Sequence, residues 1–292
     1  MIRGEVRVQP STTIRANPIQ RYAGRTVLYL VVGFFAFLYA MPFIWMLSTS
    51  VKPGYQVYVV PPIWIPDQLN WSNYTAPWFN LPFHLFYWNT IVITVTSIVG
   101  TLISSSLVAF AFARMRFRAR GALFVLVLST IILPQQVTLI PQYLIFTKLG
   151  WINTPLPLIV PYWFGSPFNI FLIRQYMMTI PLEIDDAARI DGAGWFQLYS
   201  RIVLPMAAPA LGVVTIMSFN FHWNDYLHPL LYLNETKNFT LSLGLPLLNS
   251  RYITDIQQTM AQTVLAVIPV LLIFFFAQRF YIQGVVVTGV KG

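Results

Sequence analysis

The sequence predicts an all-α polytopic membrane protein of about six transmembrane helices, and three features predict it. Charged residues make up 9% of the 292 positions and hydrophobic residues 57%, with a mean hydropathy of +0.63. A soluble domain carries about 25% charged residues, so lipid must cover much of a chain this poor in charge. The apolar residues are also gathered in runs of roughly 20, the length that crosses a hydrocarbon layer about 30 Å thick at about 1.5 Å per residue. Finally, the basic residues lie between and beyond these runs, on one side in preference to the other.

In chain order, the predicted spans are Val27–Leu47, Asn89–Ala113, Gly121–Gln142, Leu156–Tyr176, Met206–Tyr232 and Thr259–Phe280. The first, third and sixth are clear. The second carries a face of small residues (Gly100, Ser104, Ser105, Ser106, Ala109), which lets another helix approach closely. The fourth is interrupted by Pro161 and Pro167 and carries the polar Asn169. Spanning helices tolerate such prolines where neighbours satisfy the freed backbone groups. The fifth holds Asn220, His222, Asn224 and Asp225, and the sixth presents Phe274, Phe275 and Phe276 as bulk for lipid. Residues 1–26 form a polar, basic amino-terminal segment. The run after them is too long for a signal-peptide core and lacks a convincing cleavage site, so it reads as an uncleaved first span.

Orientation follows from the Lys and Arg residues. Fourteen of the eighteen fall on one side: the amino terminus, the loop with Arg114, Arg116, Arg118 and Arg120, the loop with Arg174, Arg189 and Arg201, and the tail with Arg279 and Lys291. Lys52, Lys148, Lys237 and Arg251 fall on the other. Basic residues concentrate in the cytoplasm, so both termini are expected inside. The same rule accounts for the net charge of +9 without any nucleic acid partner. The expected organisation is a cytoplasmic segment 1–26, a transmembrane domain 27–280 and a cytoplasmic tail 281–292. An external stretch, 48–88, is crowded with Pro and Trp and is expected to lie against the membrane interface.

Much chemistry is excluded. With no cysteine there is no disulfide, zinc-thiolate site or thiol nucleophile. No G-x-x-x-x-G-K-[ST] phosphate loop, H-E-x-x-H helix or G-x-S-x-G elbow occurs, so no catalytic residue, metal ligand or ATPase is expected in this chain. An ion-coupled secondary transporter is the alternative to keep, but it predicts acids in several spans, and only Asp225 is placed for that.

The informative segment is the cytoplasmic loop 177–205, which holds Glu183, Asp185, Asp186 and Asp191, four of the nine acidic residues. It reads as a short helix, a tight turn and a second short helix. Pro181 suits a first helical position, and Glu183, Asp185 and Asp186 follow where the helix dipole favours negative charge. Asp191-Gly192 ends the helix, since Gly tolerates the left-handed conformation just past a helix end. The second helix repeats apolar residues at Trp195, Phe196, Tyr199, Ile202 and Val203, and Pro205 closes it.

This segment resembles the EAA loop of ABC importer membrane subunits. Asp186-Ala187-Ala188, Asp191-Gly192-Ala193 and Ile202-Val203-Leu204-Pro205 match its blocks in register. Asp186 stands where that family usually has Glu, which keeps the charge and shortens its reach. Weaker matches at Lys52-Pro53, Pro61-Pro62, Asn73-Tyr74, Trp223-Asn224-Asp225 and Gln283-Gly284 to Lys291-Gly292 are similar to the maltose-importer class. The resemblance implies a type I importer fold and a bacterial or archaeal cell-membrane location. It also implies a permease subunit for an oligosaccharide or related polyol, paired with a second homologous membrane subunit. Two cytoplasmic ATPase subunits would hold the ATP and Mg, with none bound here, and an extracytoplasmic solute-binding protein would deliver the sugar.

The implied ATPase-coupling residues are Glu183, Asp186, Ala187, Ala188, Asp191, Gly192, Ala193, Phe196, Leu204 and Pro205. The tail residues Gln283, Gly284 and Lys291 are implied ATPase contacts. Asn220, His222, Asn224 and Asp225 are candidates for lining the substrate path, because amides, carboxylates and aromatic neighbours bind sugar hydroxyls. A first prediction concerns topology. A reporter fused after Gly292 is expected to be cytoplasmic and one inserted near Asn70 external; a cytoplasmic reporter at Asn70 overturns the span assignment.

Overall fold

The computed structural model describes the backbone of residues 18–250 and 253–289, and nearly all of it is helical. Helix α1 (Pro18–Ser50) carries the apolar stretch Gly24–Ser50 and leaves Phe34, Phe35 and Phe37 exposed, as a lipid-facing surface requires. The segment 48–88 then includes two short helices, α2 (Gly54–Val57) and α3 (Ser72–Asn80). Polar groups hold it together. The Asn73 amide donates to the carbonyls of Ser50 (3.0 Å) and Lys52 (2.9 Å). Lys52 is fully buried, with its ammonium 3.7 Å from the Trp45 ring centroid, a cation–π contact that stands in for water. Gln262 of the last helix donates to the Tyr74 carbonyl at 3.1 Å and ties this platform to the bundle.

Helix α4 (Phe83–Arg114) begins six residues before the predicted second span, because Phe83 and Phe86 in its first turn are buried against Leu241 and Leu248. The predicted third span is corrected. It is two helices, α5 (Arg120–Ser129) and α6 (Gln135–Lys148), with the chain bent by 95° between Arg120–Ile132 and Gln135–Lys148. Pro134 causes the break. It has no N–H for the helical ladder, and it holds Leu133 extended at φ −71°, ψ 115°. The fourth span is broken as its prolines foretell: α7 (Leu156–Ile159), a tight turn Val160–Phe164, then α8 (Pro167–Met177). Between them Gly165 sits at φ +88°, a conformation open to glycine at little cost.

The loop 177–205 supplies α9 (Leu182–Ile190) and a second helical stretch. That stretch opens with α10 (Trp195–Gln197), passes through a π-helical turn over Leu198–Val203, and ends in α11 (Leu204–Met206). It meets α12 (Ala208–Asn224) at a bend of 74°. The predicted fifth span is corrected here, since α12 stops at Asn224 and α13 (Leu227–Tyr232) is separate. Asp225 makes the break. Its backbone is extended, and its carboxylate accepts the His228 N–H at 3.2 Å, capping the next helix in place of continuing the last. After α14 (Leu241–Gly244), a two-residue antiparallel ladder pairs Asn249 with Thr254, and α15 (Ile256–Gly289) runs past both ends of the predicted sixth span. Among the described residues, four helices are each long and apolar enough to cross a membrane, and up to six crossings result if each bent pair is one span.

Helix α4 is the central post, packed on α8, α12 and the turn Val160–Phe164. Its small-residue face serves two purposes there. Ser97 donates to the Leu158 carbonyl (3.1 Å) and Ser105 accepts the Ser166 N–H (3.2 Å), so α4 satisfies backbone groups that the broken fourth span leaves open. Gly100 lets Trp163 lie directly on the helix; a methyl built on Gly100 would meet the indole Nε1 at 2.5 Å. Gly100→Ala is therefore expected to destabilise the protein by about 1–3 kcal/mol through overpacking. Gly33→Ala, with nothing within 4 Å, is the control expected to be neutral. Thermal unfolding of both in detergent is the measurement, and equal midpoints would remove the packing role of Gly100.

Candidate functional site

The loop 177–205 is a rigid knob. Helix α9 ends in a paired closure, with the Gly192 N–H bonded to the Arg189 carbonyl (3.0 Å) and the Ala193 N–H to the Ala188 carbonyl (2.9 Å). This double bond pattern needs a left-handed residue between helix and exit, and Gly192 provides it at φ +83°. The next helix starts as the Gln197 side chain accepts the Gly194 N–H at 3.0 Å. Arg189 lies over the Trp195 ring at 4.2 Å and braces the two arms against each other.

Two pins fasten the knob to α4. At the C-terminal end of α4, Arg114 is buried with Asp185, 3.5 Å between Nε and Oδ2, and its Nη2 donates to the Ile180 carbonyl at 2.9 Å. Eight residues earlier on α4, the Ser106 hydroxyl meets the Tyr199 hydroxyl at 2.8 Å. Burial pushes the Asp185 carboxyl above the usual carboxylate range, and the positive charges of Arg114 and Arg189 oppose that shift. From sequence, Arg114 counts only as a topological charge and Asp185 only as a helix-dipole residue. The signal for their pairing is the first of four arginines, at the end of an apolar run, and an acid in the first turn of the loop helix.

Once pinned, the knob divides its residues. Ala188 is buried in the core, and Ala193 and Leu204 pack partly against it. Glu183, Asp186, Ala187, Asp191, Gly192, Phe196 and Pro205 face outward. The expected apolar stripe of the second helix is split: Tyr199 and Val203 are buried, while Phe196 is 74% exposed. Ile190, at the end of α9, is likewise 87% exposed, with Asp191 next to it in the chain.

The second feature is a cavity of about 300 Å³ between the helices. It is lined by Thr101, Gln135, Tyr162, Ser166, Asn169, Met217, Ser218, Phe221 and His222. Of the four residues expected on a substrate path, only His222 reaches it. Asn220 and Asn224 turn their amides back onto the carbonyls of Ile216 (3.1 Å) and Asn220 (2.9 Å). Asp225 is engaged by His228, Oδ2 to Nδ1 at 2.8 Å, and the far nitrogen of that ring meets Gln135 Nε2 at 2.9 Å. The polar residues that do line the cavity were missed because they are scattered singly over four apolar segments. Of the tail residues, Gln283 and Gly284 continue α15 as backbone. Their side chains, and Lys291 altogether, lie outside the described residues.

Residues 105–286, which include the whole knob, match the family described as the binding-protein-dependent transport system inner membrane component. The chain belongs to that family.

This inner membrane component is 34% identical over 272 residues to the arabinooligosaccharides transport system permease protein AraQ of Bacillus subtilis, covering 92% of this chain and 96% of the relative. It is 30% identical over 258 residues to the lactose transport system permease protein LacG of Rhizobium radiobacter, covering 88% and 93%. Among solved structures it is similar to a chain of a bacterial ABC transporter involved in the import of the acidic polysaccharide alginate. That match has a TM-score of 0.79 at 25% identity and covers 91% of this chain and 98% of that one.

The buried pin yields a prediction for this permease. Arg114→Met leaves the Asp185 carboxylate buried without its cation, which costs about 3–5 kcal/mol. Amide exchange in residues 182–190 is expected to quicken by about a hundredfold or more, and Arg114→Met with Asp185→Leu is expected to restore protection. Unchanged exchange in the single variant would show that the pin holds nothing.

Proposed function

We propose that this permease is the membrane-spanning subunit of an ATP-driven importer for a sugar, an oligosaccharide or related polyol. It pairs with a second homologous membrane subunit, and two cytoplasmic ATPase subunits holding ATP and Mg dock on its knob. An extracytoplasmic solute-binding protein delivers the sugar. The chain does no covalent chemistry itself, and both of its termini are cytoplasmic. Relatives named for arabinooligosaccharide and lactose transport support the sugar, and the family description supports the binding protein.

The observation that carries the reading is the knob: two short helices that expose Ile190 and Phe196 as well as Glu183, Asp186 and Asp191, fixed to α4 through Asp185 with Arg114 and Tyr199 with Ser106. An element held this rigidly moves as one body. Closure of the ATPase dimer around it displaces α4, and the cavity alternates between the two sides of the membrane. A ligand drives such a switch only by binding the two states with different affinity. Delivery of sugar to one state and ATP binding in the other meet that requirement.

Two substitutions test the knob. Gly192 has open space around it, so Gly192→Val acts through φ alone, with a penalty of about 1–2 kcal/mol for the left-handed conformation. Asp186→Lys places a positive charge near the positive helix end, costs about 0.3–1 kcal/mol, and reverses the sign of the outward face. Both variants are expected to insert normally, to lose the ATPase in a pull-down, and to lose sugar-stimulated hydrolysis in liposomes with binding protein present. If both retain and couple the ATPase, residues 181–205 are not the coupling element.

A further inference from the structure

Serine and threonine in apolar helices ordinarily turn their hydroxyls back onto the carbonyl one turn earlier. Thr90, Ser104, Thr215 and Thr263 all do so here, at 2.7–2.8 Å. The cavity between the helices departs from that rule. Thr101, Tyr162, Ser166, Asn169, Ser218 and His222 line it, and among the described residues no protein group receives or donates a hydrogen bond at any of their side chains. Three of them are more than nine-tenths buried, with exposures of 2% for Thr101, 7% for Ser218 and 6% for His222. They come from different segments, so the arrangement is a property of the fold and not of one helix surface.

An acyl chain in this space would leave all six groups unsatisfied in a low-dielectric setting, where each unmade hydrogen bond is expensive. The occupant the lining favours is rich in hydroxyls. The aromatic groups fit the same occupant: Phe221 is 43% exposed, and the Tyr162 ring stands edge-on to His222 at 4.3 Å, giving an apolar wall beside the polar ones. A volume of about 300 Å³ is at the lower end of ligand-sized cavities. No Lys, Arg, Asp or Glu is among the lining residues. A carboxylated sugar would thus enter without a counter-charge, and an unpaired buried ion is far more costly than an unpaired hydroxyl.

We infer that this cavity is a sugar-binding subsite within this subunit, selective for an uncharged saccharide ring, with Ser218, Asn169 and Thr101 as hydrogen-bonding contacts and Phe221 as the stacking wall. The inference rests on the sugar-importer reading above and deepens it by placing substrate contacts in this chain and fixing their charge class.

The test uses the complete importer with its binding protein in liposomes. Uptake of lactose, arabinotriose and diacetylchitobiose, all uncharged, is measured beside that of an alginate trisaccharide. The chain has no cysteine, so Ser218→Cys gives this subunit a single thiol. Its reaction with a small water-soluble methanethiosulfonate is followed by the mass of this subunit. The neutral sugar that is imported is expected to slow that reaction by about tenfold at about ten times its dissociation constant, and the alginate trisaccharide is expected to leave it unchanged. Thr215→Cys, on the same helix but outside the cavity, is expected to show no sugar dependence.

As a second variant, Asn169→Leu is expected to raise the sugar concentration for half-maximal uptake by about tenfold through lost hydrogen bonds. The inference is overturned if the Ser218→Cys thiol does not react, which would mean another protein surface covers it. Reaction at the same rate with and without the imported sugar overturns it too, as does equal protection by the alginate trisaccharide. If the wild-type complex imports none of the neutral sugars, the importer reading itself fails and the subsite falls with it.

Discussion

Inside a bilayer no water is available to pair with a free backbone N–H or C=O, so every interruption of a helix must be repaired by protein. This chain interrupts its spans at Pro134, around Gly165 and at Asp225. The repair is local in each case, and α4 supplies much of it. Ser97 bonds the Leu158 carbonyl and Ser105 receives the Ser166 N–H, while Gly100 admits Trp163 to van der Waals contact. The small residues on α4 are thus needed twice over, once for distance and once for hydrogen bonds. Bulkier or apolar residues at these places would push the broken span away and leave its backbone unpaired.

Because the breaks are repaired around α4, the space between them is lined by protein and carries hydroxyl, amide and imidazole groups, and that same helix ends at Arg114 against the knob. The Asp185 pair and the Tyr199 hydroxyl bond hold the knob to α4 with no flexible linker between the pins. Thr101 in the cavity wall is thirteen residues from Arg114, about 20 Å along the helix. In the proposed mechanism this length is the lever: displacement of the knob reaches the cavity wall through one packed helix. A buried ion pair is a poor source of net stability, and its worth here lies in fixing where α9 begins.

Much of this was legible in the sequence, for physical reasons that also explain what was not. Hydropathy located the apolar segments because transfer to lipid depends on composition over about 20 residues. It could not show that the third crossing bends at Pro134, since a window average is indifferent to one missing N–H. The turn at Gly192 was readable because the loop is short and local, and its backbone sign follows from helix-end geometry. For the opposite reason, only His222 of the four substrate-path candidates reaches the cavity. Asn220, Asn224 and Asp225 are adjacent in sequence and conspicuous, yet each satisfies itself within its own helix or cap. The groups left open, such as Thr101, Asn169 and Ser218, stand singly in apolar surroundings, and only the packing of α4, α8 and α12 brings them together.

The two ends of α4 therefore present complementary deficits. At one end, Ile190 and Phe196 are apolar and exposed on a loop pinned to it. At mid-helix, hydroxyl, amide and imidazole groups line a cavity without protein partners among the described residues. In the proposed importer an apolar groove of the ATPase would meet the first and a hydroxyl-rich ligand the second. With both arranged along one helix, whatever occupies one end would bias the position of the other, as a coupled transporter requires.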